Sequence, residues 1–257
     1  MTQLELKSLA ERMLMDYDEK NPGTVFGEGL HLSIDEAFQL QSAVANLRQR
    51  RGESIIGYKI GCVAPANQLA LGVSHPIFGR LWSTEQFADS ALLLKSNYSG
   101  LGVEAEFGIR LAKDLTTSDS SVHTISQKVS DIFVVIELHN TRLLGLDPRA
   151  PEVISNNAIH SGVVNGAKVA PPKESKAIDL SLLMDAEIVD SWSELVWPDD
   201  VLRAVPWLVD RLSQDNQQLK QGDIILTAAF GPPIPVDLET SVKVISSDFG
   251  SVTAIFS

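Results

Sequence analysis

Two neighbouring acidic residues in a strand-like run could bind a divalent cation. Glu104 and Glu106 lie in residues 103–111, where apolar side chains occupy every second position. On a strand, residues two apart point to the same face, with their Cα atoms about 7 Å apart. Two carboxylates that close repel each other, and a hard divalent cation, which favours oxygen ligands, would turn the repulsion into binding. The same alternation is also typical of an ordinary strand with one solvated face.

A third acidic residue and one lysine lie in apolar runs of their own. Glu137 falls within residues 133–139, which predict a buried strand, and an ionised carboxylate there must be paired or bound to a metal. Lys59 lies among apolar residues in a strand predicted at 55–61, near glycines that allow a ligand to approach closely. A lysine at a strand end that reaches water fits the same residues.

The composition limits the classes of function. The chain has 257 residues, of which 44% are hydrophobic and 21% charged, values typical of a soluble globular protein. Its net charge of −12 argues against a nucleic-acid-binding protein, because such binding rests on basic patches. The N-terminal residues do not resemble a signal peptide, and no apolar run approaches the ~18 residues of a membrane helix. We expect a cytoplasmic protein in which Cys62, the single cysteine, is a buried and inert thiol.

Helices at the beginning and strands further on must position these residues. Apolar spacing predicts a helix over residues 4–18, and Ser33 with Glu36 forms a capping box that begins a second helix. From residue 54 onwards, strand patterns predominate. We therefore predict an α+β fold in one catalytic domain, residues 1–257, with an N-terminal helical layer at 1–53 and a β-rich metal-binding core at 54–257.

The remaining elements are predicted from periodicity and from turn residues. Further strands are expected at residues 92–95, 162–166 and 224–230, in a pair over 177–196 that turns at 190–192, and in a hairpin over 241–256. Short helices are expected at residues 68–73 and 125–132, a helix start at 152–160, and a turn or loop at 74–79. Residues 199–220 predict an amphipathic helix, in which Pro206 indicates a kink or a late start.

Several segments form a recognisable set. They are residues 57–61, 71–73, 76–79, 103–106, Glu137 with Arg142, 157–158, 207–208 and 222–226. The set resembles the fumarylacetoacetate hydrolase superfamily, specifically its branch of 2-oxopent-4-enoate (2-hydroxypentadienoate) hydratases and 4-oxalocrotonate decarboxylases. The most specific part is the Glu-x-Glu pair with a third Glu 31 residues later, after a Lys-Ile-Gly strand. The resemblance extends from about residue 35 to the last residue and implies a mixed β-sheet/roll core.

The resemblance also implies a metal-dependent lyase that acts on a small 2-oxo acid. Glu104, Glu106 and Glu137 would bind Mg²⁺ or Mn²⁺, and the bound ion would polarise the keto oxygen of the substrate. Lys59 would hold the substrate carboxylate or enolate, or exchange a proton.

Two further substrate contacts follow from the resemblance alone. Asn157 belongs to one of the matching segments, and Thr227 lies where the family places a small polar residue near the substrate. The family is usually homo-oligomeric, and its hydratases and decarboxylases can associate. A homo-oligomer, with possible association with a related hydratase or decarboxylase, is therefore expected.

Several positions depart from the family pattern. Ile77 stands where hydratases usually carry an acidic residue, and Asn140 and Asn156 stand in place of Asp, which keeps shape and hydrogen bonding but loses charge. His160 replaces a small polar residue; it is either a structural histidine or a relocated acid/base. His139, next to a predicted ligand, is interpreted as structural.

Three functions stay open at this point. Hydration of 2-hydroxypenta-2,4-dienoate is our first prediction, as the commoner activity of the branch. Decarboxylation of a 4-oxalocrotonate-like diacid uses the same electron sink with fewer acid/base groups, and Ile77 favours it. Hydrolysis of a C–C bond in an acylpyruvate would need an activated water. As an alternative to catalysis, the lost acidic residues allow a non-catalytic member that binds metal and ligand or partners an active paralogue.

Overall fold

The longest strands lie side by side and carry the acidic residues singled out above. The computed structural model describes residues 1–237 and 239–257. Within them the α-helices are α1 Gln3–Asp18, α2 Thr24–Gly27, α3 Ile34–Arg50, α4 Pro65–Leu71, α5 Val122–Ser126, α6 Ala150–Ser155 and α7 Val205–Gln214. The strands are β1 Ile55–Gly61, β2 Ile77–Trp82, β3 Gln86–Ala88, β4 Ala91–Leu93, β5 Leu101–Leu111, β6 Val129–Asn140, β7 His160–Asn165, β8 Lys176–Met184, β9 Glu187–Trp197, β10 Ile224–Leu226, β11 Ile234–Pro235, β12 Ser241–Ser246 and β13 Gly250–Phe256.

The strands form two sheets. One has the order β2-β1-β10-β5-β6-β7-β3, with β11 pairing on β5, and the other has the order β4-β13-β12-β8-β9. In the first sheet, antiparallel pairing of β5 and β6 places Glu104 directly opposite Glu137. The short β10 lies between β1 and β5, and it links Lys59 to Gly108 through Leu226. The predicted lysine and all three acidic residues therefore lie in one sheet.

Both faces of the central strands are buried. The odd-numbered residues of β5, such as Val103 and Phe107, pack into the large core with Ile136 and Leu138 of β6. The opposite face carries a smaller apolar cluster that includes Phe133 of β6 and Leu226 of β10. Burial of each such side chain contributes about 1.5–3 kcal/mol to stability. The interpretation of residues 103–111 as a strand with a solvated face is therefore wrong for Glu106, which is 1% exposed.

The N-terminal helices are capped and joined to this sheet. Thr2 with Glu5 and Ser33 with Glu36 both form complete capping boxes, so the predicted box is confirmed. On α3, the buried Gln41 donates hydrogen bonds from Nε2 to the backbone oxygens of Phe78 in β2 and Ile154 in α6, at 2.9 and 2.8 Å. Among the described residues, every helix is too short or too polar to span a bilayer.

Two glycines allow backbone segments to approach each other near the site. Gly57 of β1 has φ +152°, and a Cβ there would lie 1.8 Å from the backbone oxygen of Ile224. A Cβ at Gly79 of β2 would lie 2.3 Å from the backbone oxygen of Asn157. Side chains at these positions would push β1 from β10 and displace the segment that precedes β7.

Most predicted elements are present, with corrections at their ends. The loop expected at 74–79 is wrong in its second half, because the residues from Ile77 on belong to the buried strand β2. The helix expected at 125–132 is also wrong: the helix is α5, and β6 begins at Val129. The strand expected at 224–230 stops at Leu226, because the backbone turns at Ala228 with φ 85°.

The second sheet contains a further correction. The turn expected at 190–192 is wrong, because those residues lie inside β9 and the chain reverses at Asp185 and Ala186, with φ 48° and 70°. Asp tolerates a positive φ but alanine gives no signal for it, and the Asp-Ser pair at 190–191 is as typical of a turn as Asp185, which is why the sequence misplaces the turn. In the helix expected at 199–220, Pro206 marks a late start, since α7 begins at Val205. The hairpin over 241–256 is confirmed as β12 and β13.

Candidate metal centre

Three carboxylates meet on one face of β5 and β6. Glu104 is opposite Glu137 in the ladder, and Glu106 follows two residues later on the same face of β5. Glu106 and Glu137 are 1% and 0% exposed, and Glu104 is partly exposed. Burial, together with repulsion from Glu137 and Glu104, raises the pKa of Glu106 well above its usual value. Its Oε2 accepts a hydrogen bond of 3.1 Å from the backbone N–H of Ala228.

Glu137 is ionised although it is fully buried. Burial alone would raise its pKa, but Lys59, His139 and His160 outweigh that effect and lower it. Its Oε1 lies 3.4 Å from Lys59 Nζ and 2.7 Å from His160 Nδ1. Its Oε2 is buried and has no hydrogen-bond partner within the described residues. A buried carboxylate oxygen without a partner is costly, and a bound cation would satisfy it.

His139 is a member of this site that sequence reasoning placed in a structural role. Its Nε2 lies 2.9 Å from Glu104 Oε2 and 3.5 Å from Glu137 Oε2. One ligand atom from each of these three residues lies within 4.8 Å of the others. His139 follows Glu137 by two residues on the same strand, so the same-face rule applied to Glu104 and Glu106 would have found it.

His160 supports Glu137 from the neighbouring strand. It lies at the start of β7, opposite His139, and it is 1% exposed. Its Nδ1 is hydrogen-bonded to Glu137 Oε1, whereas its Nε2 has no partner within the described residues. His160 therefore contacts a carboxylate of the site but is not among the described residues that line the cavity.

Lys59 supplies the positive charge of the site. It is 3% exposed, and burial lowers the pKa of its ammonium group. The negative charges of Glu137, Glu104 and Glu106 outweigh burial, so the net pKa is raised. Lys59 therefore stays charged in this environment. Three carboxylates and an imidazole form a donor set that fits a divalent cation, with oxygen ligands in the majority, whereas the charged ammonium group of Lys59 has no lone pair to offer a metal.

A cavity of about 350 Å³ opens above these residues. Lys59, Glu104 and His139 line its polar end. Its walls are mainly apolar and include Val63, Leu71, Ile77, Leu143, Val153 and Ile159. Asp147 and Arg149 also line it, and Arg149 Nε is 3.3 Å from Asp147 Oδ1. The cavity has the size and the mixed lining of a site for a small acid with a short hydrocarbon chain.

Cys62 lies in the cavity wall. The expectation of a buried thiol is wrong, because Cys62 is half-buried and follows the last residue of β1, with φ 57°. Burial raises the pKa of the thiol, and the nearby Lys59 opposes that shift in part. A raised pKa leaves the thiol protonated at neutral pH and is consistent with the expected lack of reactivity.

The two residues predicted to contact the substrate make backbone contacts instead of lining the cavity. Asn157 Oδ1 accepts a hydrogen bond of 2.7 Å from the N–H of Arg80, and its Nδ2 donates to the carbonyl of Arg80 at 2.9 Å. Thr227 Oγ1 donates to the carbonyl of Phe107 at 3.1 Å. Among the described lining residues are their neighbours Ala158 and Ala228. Both side chains hold the backbone that forms the cavity, and a substrate contact for either stays a prediction.

Three positions carry a neutral residue where the family usually has an acidic one, and one of them borders the cavity. Ile77 is in the wall. Asn140 Oδ1 accepts a hydrogen bond of 2.8 Å from the N–H of Ser99, and neither Asn140 nor Asn156 is among the described lining residues. Asn in place of Asp at those two positions therefore does not remove a charge from the wall of the cavity.

Comparison with known proteins gives relatives over most of the chain. No family model matches the sequence. A 2-keto-4-pentenoate hydratase of Paraburkholderia phymatum is 30% identical over 226 residues, which cover 86% of this chain and 85% of the relative. A 2-oxo-hept-4-ene-1,7-dioate hydratase of Escherichia coli is 25% identical over 88% of this chain and 87% of its own length.

Solved structures share the fold. The 4-oxalocrotonate decarboxylase of Pseudomonas putida G7, complexed with magnesium and adipate, matches with a TM-score of 0.89 and 20% identity over 100% of this chain and 99% of that one. The fumarylpyruvate hydrolase of Pseudomonas aeruginosa, in complex with Mn²⁺ and pyruvate, matches with a TM-score of 0.60 and 16% identity over 77% and 88%.

The fold is therefore that of the fumarylacetoacetate hydrolase-like enzymes, which confirms the predicted fold class. Within that class, the 30% identity over 86% of the sequence shows that the chain belongs to the 2-keto-4-pentenoate hydratase family. The resemblance seen in the sequence is thereby confirmed.

Proposed function

We propose that the protein is a metal-dependent hydratase of a small 2-keto-4-enoic acid, of the 2-hydroxypenta-2,4-dienoate type. The carrying observation is that Glu104, His139 and Lys59, which line the polar end of one small cavity, converge on the fully buried Glu137. The relatives named 2-keto-4-pentenoate hydratase support the reaction. We further propose that residues 1–257 work as one catalytic domain, with the helical layer of residues 1–53 bound to the metal-binding core.

Glu104, Glu106 and Glu137 would hold the cation, which we propose to be Mg²⁺ or Mn²⁺. Carboxylate oxygens suit both ions, and two structures with the same fold contain magnesium or Mn²⁺. When bound, the ion would polarise the 2-oxo group of the substrate and stabilise negative charge that develops there.

Lys59 would bind the carboxylate of the substrate. Its ammonium group is buried, charged and fixed beside Glu137, so it presents a positive charge to an anion at the polar end of the cavity. Because its pKa is raised, Lys59 holds its proton and acts as a hydrogen-bond donor. Because the site is little exposed to solvent, the attraction between the ammonium group and a carboxylate would be stronger there than between the same groups in water.

The apolar walls would enclose the hydrocarbon part of the substrate. The apolar wall includes Val63, Ile77 and Ile159. The cavity volume of about 350 Å³ is too small for a long hydrocarbon chain. Apolar walls also exclude bulk water from the dienol, which protects it until a single water adds. His160, held against Glu137, would act through that carboxylate as a proton-exchanging or positioning group, not by touching the substrate.

Decarboxylation of a diacid is a second candidate, and two side chains favour it. Ile77 removes an acidic group from the wall, and Arg149 places a cation among the lining residues that could pair with a second carboxylate. Arg149 now pairs with the exposed Asp147, a contact that is weak in solvent.

The test is an assay of the purified protein on both substrates. After metal removal and addition of Mg²⁺ or Mn²⁺, loss of the dienol absorbance of 2-hydroxypenta-2,4-dienoate with formation of 4-hydroxy-2-oxopentanoate supports hydration. Release of CO₂ from 4-oxalocrotonate supports the second candidate. Metal binding without turnover of either compound would contradict both and indicate a non-catalytic binding protein.

We also propose that the protein is a homo-oligomer that could associate with a related hydratase or decarboxylase. Large apolar side chains such as Leu69, Leu92 and Ile188 are at least 65% exposed, which is consistent with further subunit contacts. Light scattering on the purified chain, alone and mixed with such an enzyme, tests both parts. A single species with the mass of one chain, 27.9 kDa, would contradict the first part.

A further inference from the structure

The imidazole of His139 points into the group of carboxylates. Its Nε2 lies 2.9 Å from Glu104 Oε2 and 3.5 Å from Glu137 Oε2, and the ring is 1% exposed. The register of β5 and β6 places Glu104 opposite Glu137, and His139 projects from the same face of β6 two residues further on. One nitrogen is thereby fixed between two carboxylate oxygens at the end of the cavity.

A purely structural role does not account for this position well. Its Nε2 is hydrogen-bonded to Glu104 Oε2, a contact that a structural histidine would also make. Glu137 Oε2, 3.5 Å from the same nitrogen, is buried and has no hydrogen-bond partner within the described residues. Nε2 therefore lies beside two carboxylate oxygens, one of which no hydrogen bond satisfies, and this arrangement suits a cation with nitrogen and oxygen ligands.

We propose that His139 is a metal ligand and that its nitrogen shifts the preference of this centre from Mg²⁺ towards later transition-metal dications such as Co²⁺ and Zn²⁺. This inference rests on the metal centre of the proposed function and specifies which ion occupies it. Mg²⁺ favours oxygen ligands, whereas imidazole favours first-row transition metals, so one nitrogen in the set changes the ratio of affinities.

The chain contains a matched control in His160. It is also a buried imidazole and also contacts Glu137, but through Oε1, while His139 lies by Oε2. His160 is not a member of the group whose ligand atoms lie within 4.8 Å of one another. Its replacement should affect Glu137 without removing a ligand.

The first measurement is the ratio of affinities for Co²⁺ and Mg²⁺ in the metal-stripped protein, by calorimetry or equilibrium dialysis. Since almost any site binds Co²⁺ more tightly than Mg²⁺, the change in the ratio between variants is the informative quantity. His139→Gln, which offers an oxygen in place of nitrogen, should lower the ratio about tenfold or more. His160→Gln should leave the ratio unchanged. An unchanged ratio in His139→Gln overturns the proposal.

The second measurement is pulsed electron paramagnetic resonance of the Mn²⁺-loaded protein. Modulation from a directly bound ¹⁴N should appear in the wild type, persist in His160→Gln and disappear in His139→Gln. If His139→Gln does not fold, wild-type protein labelled with ¹⁵N-histidine replaces it, and the ¹⁴N signal should change to ¹⁵N.

The outcomes separate the two proposals. Bound Mn²⁺ without nitrogen modulation, or modulation lost only in His160→Gln, overturns the role of His139 and leaves the hydratase proposal intact. Nitrogen-bound metal without turnover of either substrate overturns the hydratase proposal and supports His139 as a ligand. Absence of metal binding overturns both.

Discussion

Two clusters of buried and partly buried acidic residues can be compared within the described residues, and they are neutralised in different ways. Glu53 and Glu85, beside the N-terminal helical layer, are paired with Arg48. Arg51 also pairs with Glu53, so two guanidinium groups face two carboxylates. Glu104, Glu106 and Glu137, in the central sheet, have one lysine, Lys59, and two histidines around them.

The two clusters shift the pKa of a carboxylate in opposite directions. Burial raises the pKa of Glu53, but hydrogen bonds from Arg48, Thr84 and Arg51 outweigh it and lower the pKa to about 2. In the central cluster, burial and repulsion from neighbouring carboxylates raise the pKa of Glu106. A buried cluster whose charges balance holds the fold together, whereas one with excess negative charge has capacity for a cation.

The largest effect is expected when the balanced cluster loses its cation. Arg48→Met should lower the free energy of unfolding by about 3–5 kcal/mol, because it leaves the buried Glu85 without its guanidinium partner. Arg48 also stacks over Trp82, at 4.2 Å from the ring centroid, so packing is lost as well. Urea unfolding of the metal-free protein measures the loss. Metal affinity of the folded variant should match the wild type, and a large fall would indicate that the two clusters are coupled.

The second prediction concerns the unbalanced cluster. Glu106→Gln should weaken metal binding at least about 100-fold, because a ligand charge is lost. The metal-free variant should nevertheless lose little stability, since Gln keeps the size of the side chain and an acceptor for the N–H of Ala228, and it removes a charge that Glu104 and Glu137 repel. Calorimetry with Mn²⁺ and urea unfolding test the two parts. Unchanged metal affinity would remove Glu106 from the ligand set.

The third prediction separates anion binding from cation binding. Lys59→Met should reduce kcat/KM about 100-fold while the metal stays bound, because in the proposed function the ammonium group binds the substrate carboxylate and is not a metal ligand. Lys7→Met is the matched control, since Lys7 is on the surface with a side chain 66% exposed. Steady-state kinetics and metal analysis of both variants provide the comparison. Full activity of Lys59→Met would exclude a direct role.

The smallest effect is expected from acid titration of the balanced cluster. The pKa of Glu53 is lowered from 4.5 to about 2 on folding. The unfolded chain therefore binds a proton more readily than the folded one, and the contribution of Glu53 to stability is lost as the pH falls from about 4.5 to 2. Unfolding measured over this range should show a shallower pH dependence in Glu53→Gln. An identical slope would indicate that other carboxylates cause the acid sensitivity.

The sequence predicts the strands of the site better than the contacts within it. Alternation of apolar residues places Glu104 and Glu106 on one face, and the run of apolar residues before Glu137 predicts its burial; both are confirmed. Contact between His139 and Glu104 depends on which residues of β5 and β6 are paired. That register is set by the whole sheet and is not visible in either strand alone.

Backbone turns account for most of what the sequence misses. Ala228 has φ 85° and directs its N–H to Glu106, although alanine gives no signal for that conformation. Cys62, with φ 57°, leaves β1 towards the cavity instead of the core. The resemblance to the family predicts substrate contacts for Asn157 and Thr227, but the polar atoms of both side chains are hydrogen-bonded to backbone groups. Short-range patterns cannot reveal which polar atoms are used in this way.

The pairing of β5 with β6 also determines which positions can be varied when the protein is engineered. Because consecutive side chains alternate between faces, a slip of one residue would turn Glu104 and Glu106 into the apolar core and expose Phe107 to the cavity. An insertion or deletion within residues 112–128, which connect the two strands, therefore threatens the coordination sphere even though the segment contributes no ligand. Length changes are tolerable there only when the ladder realigns to its original pairs.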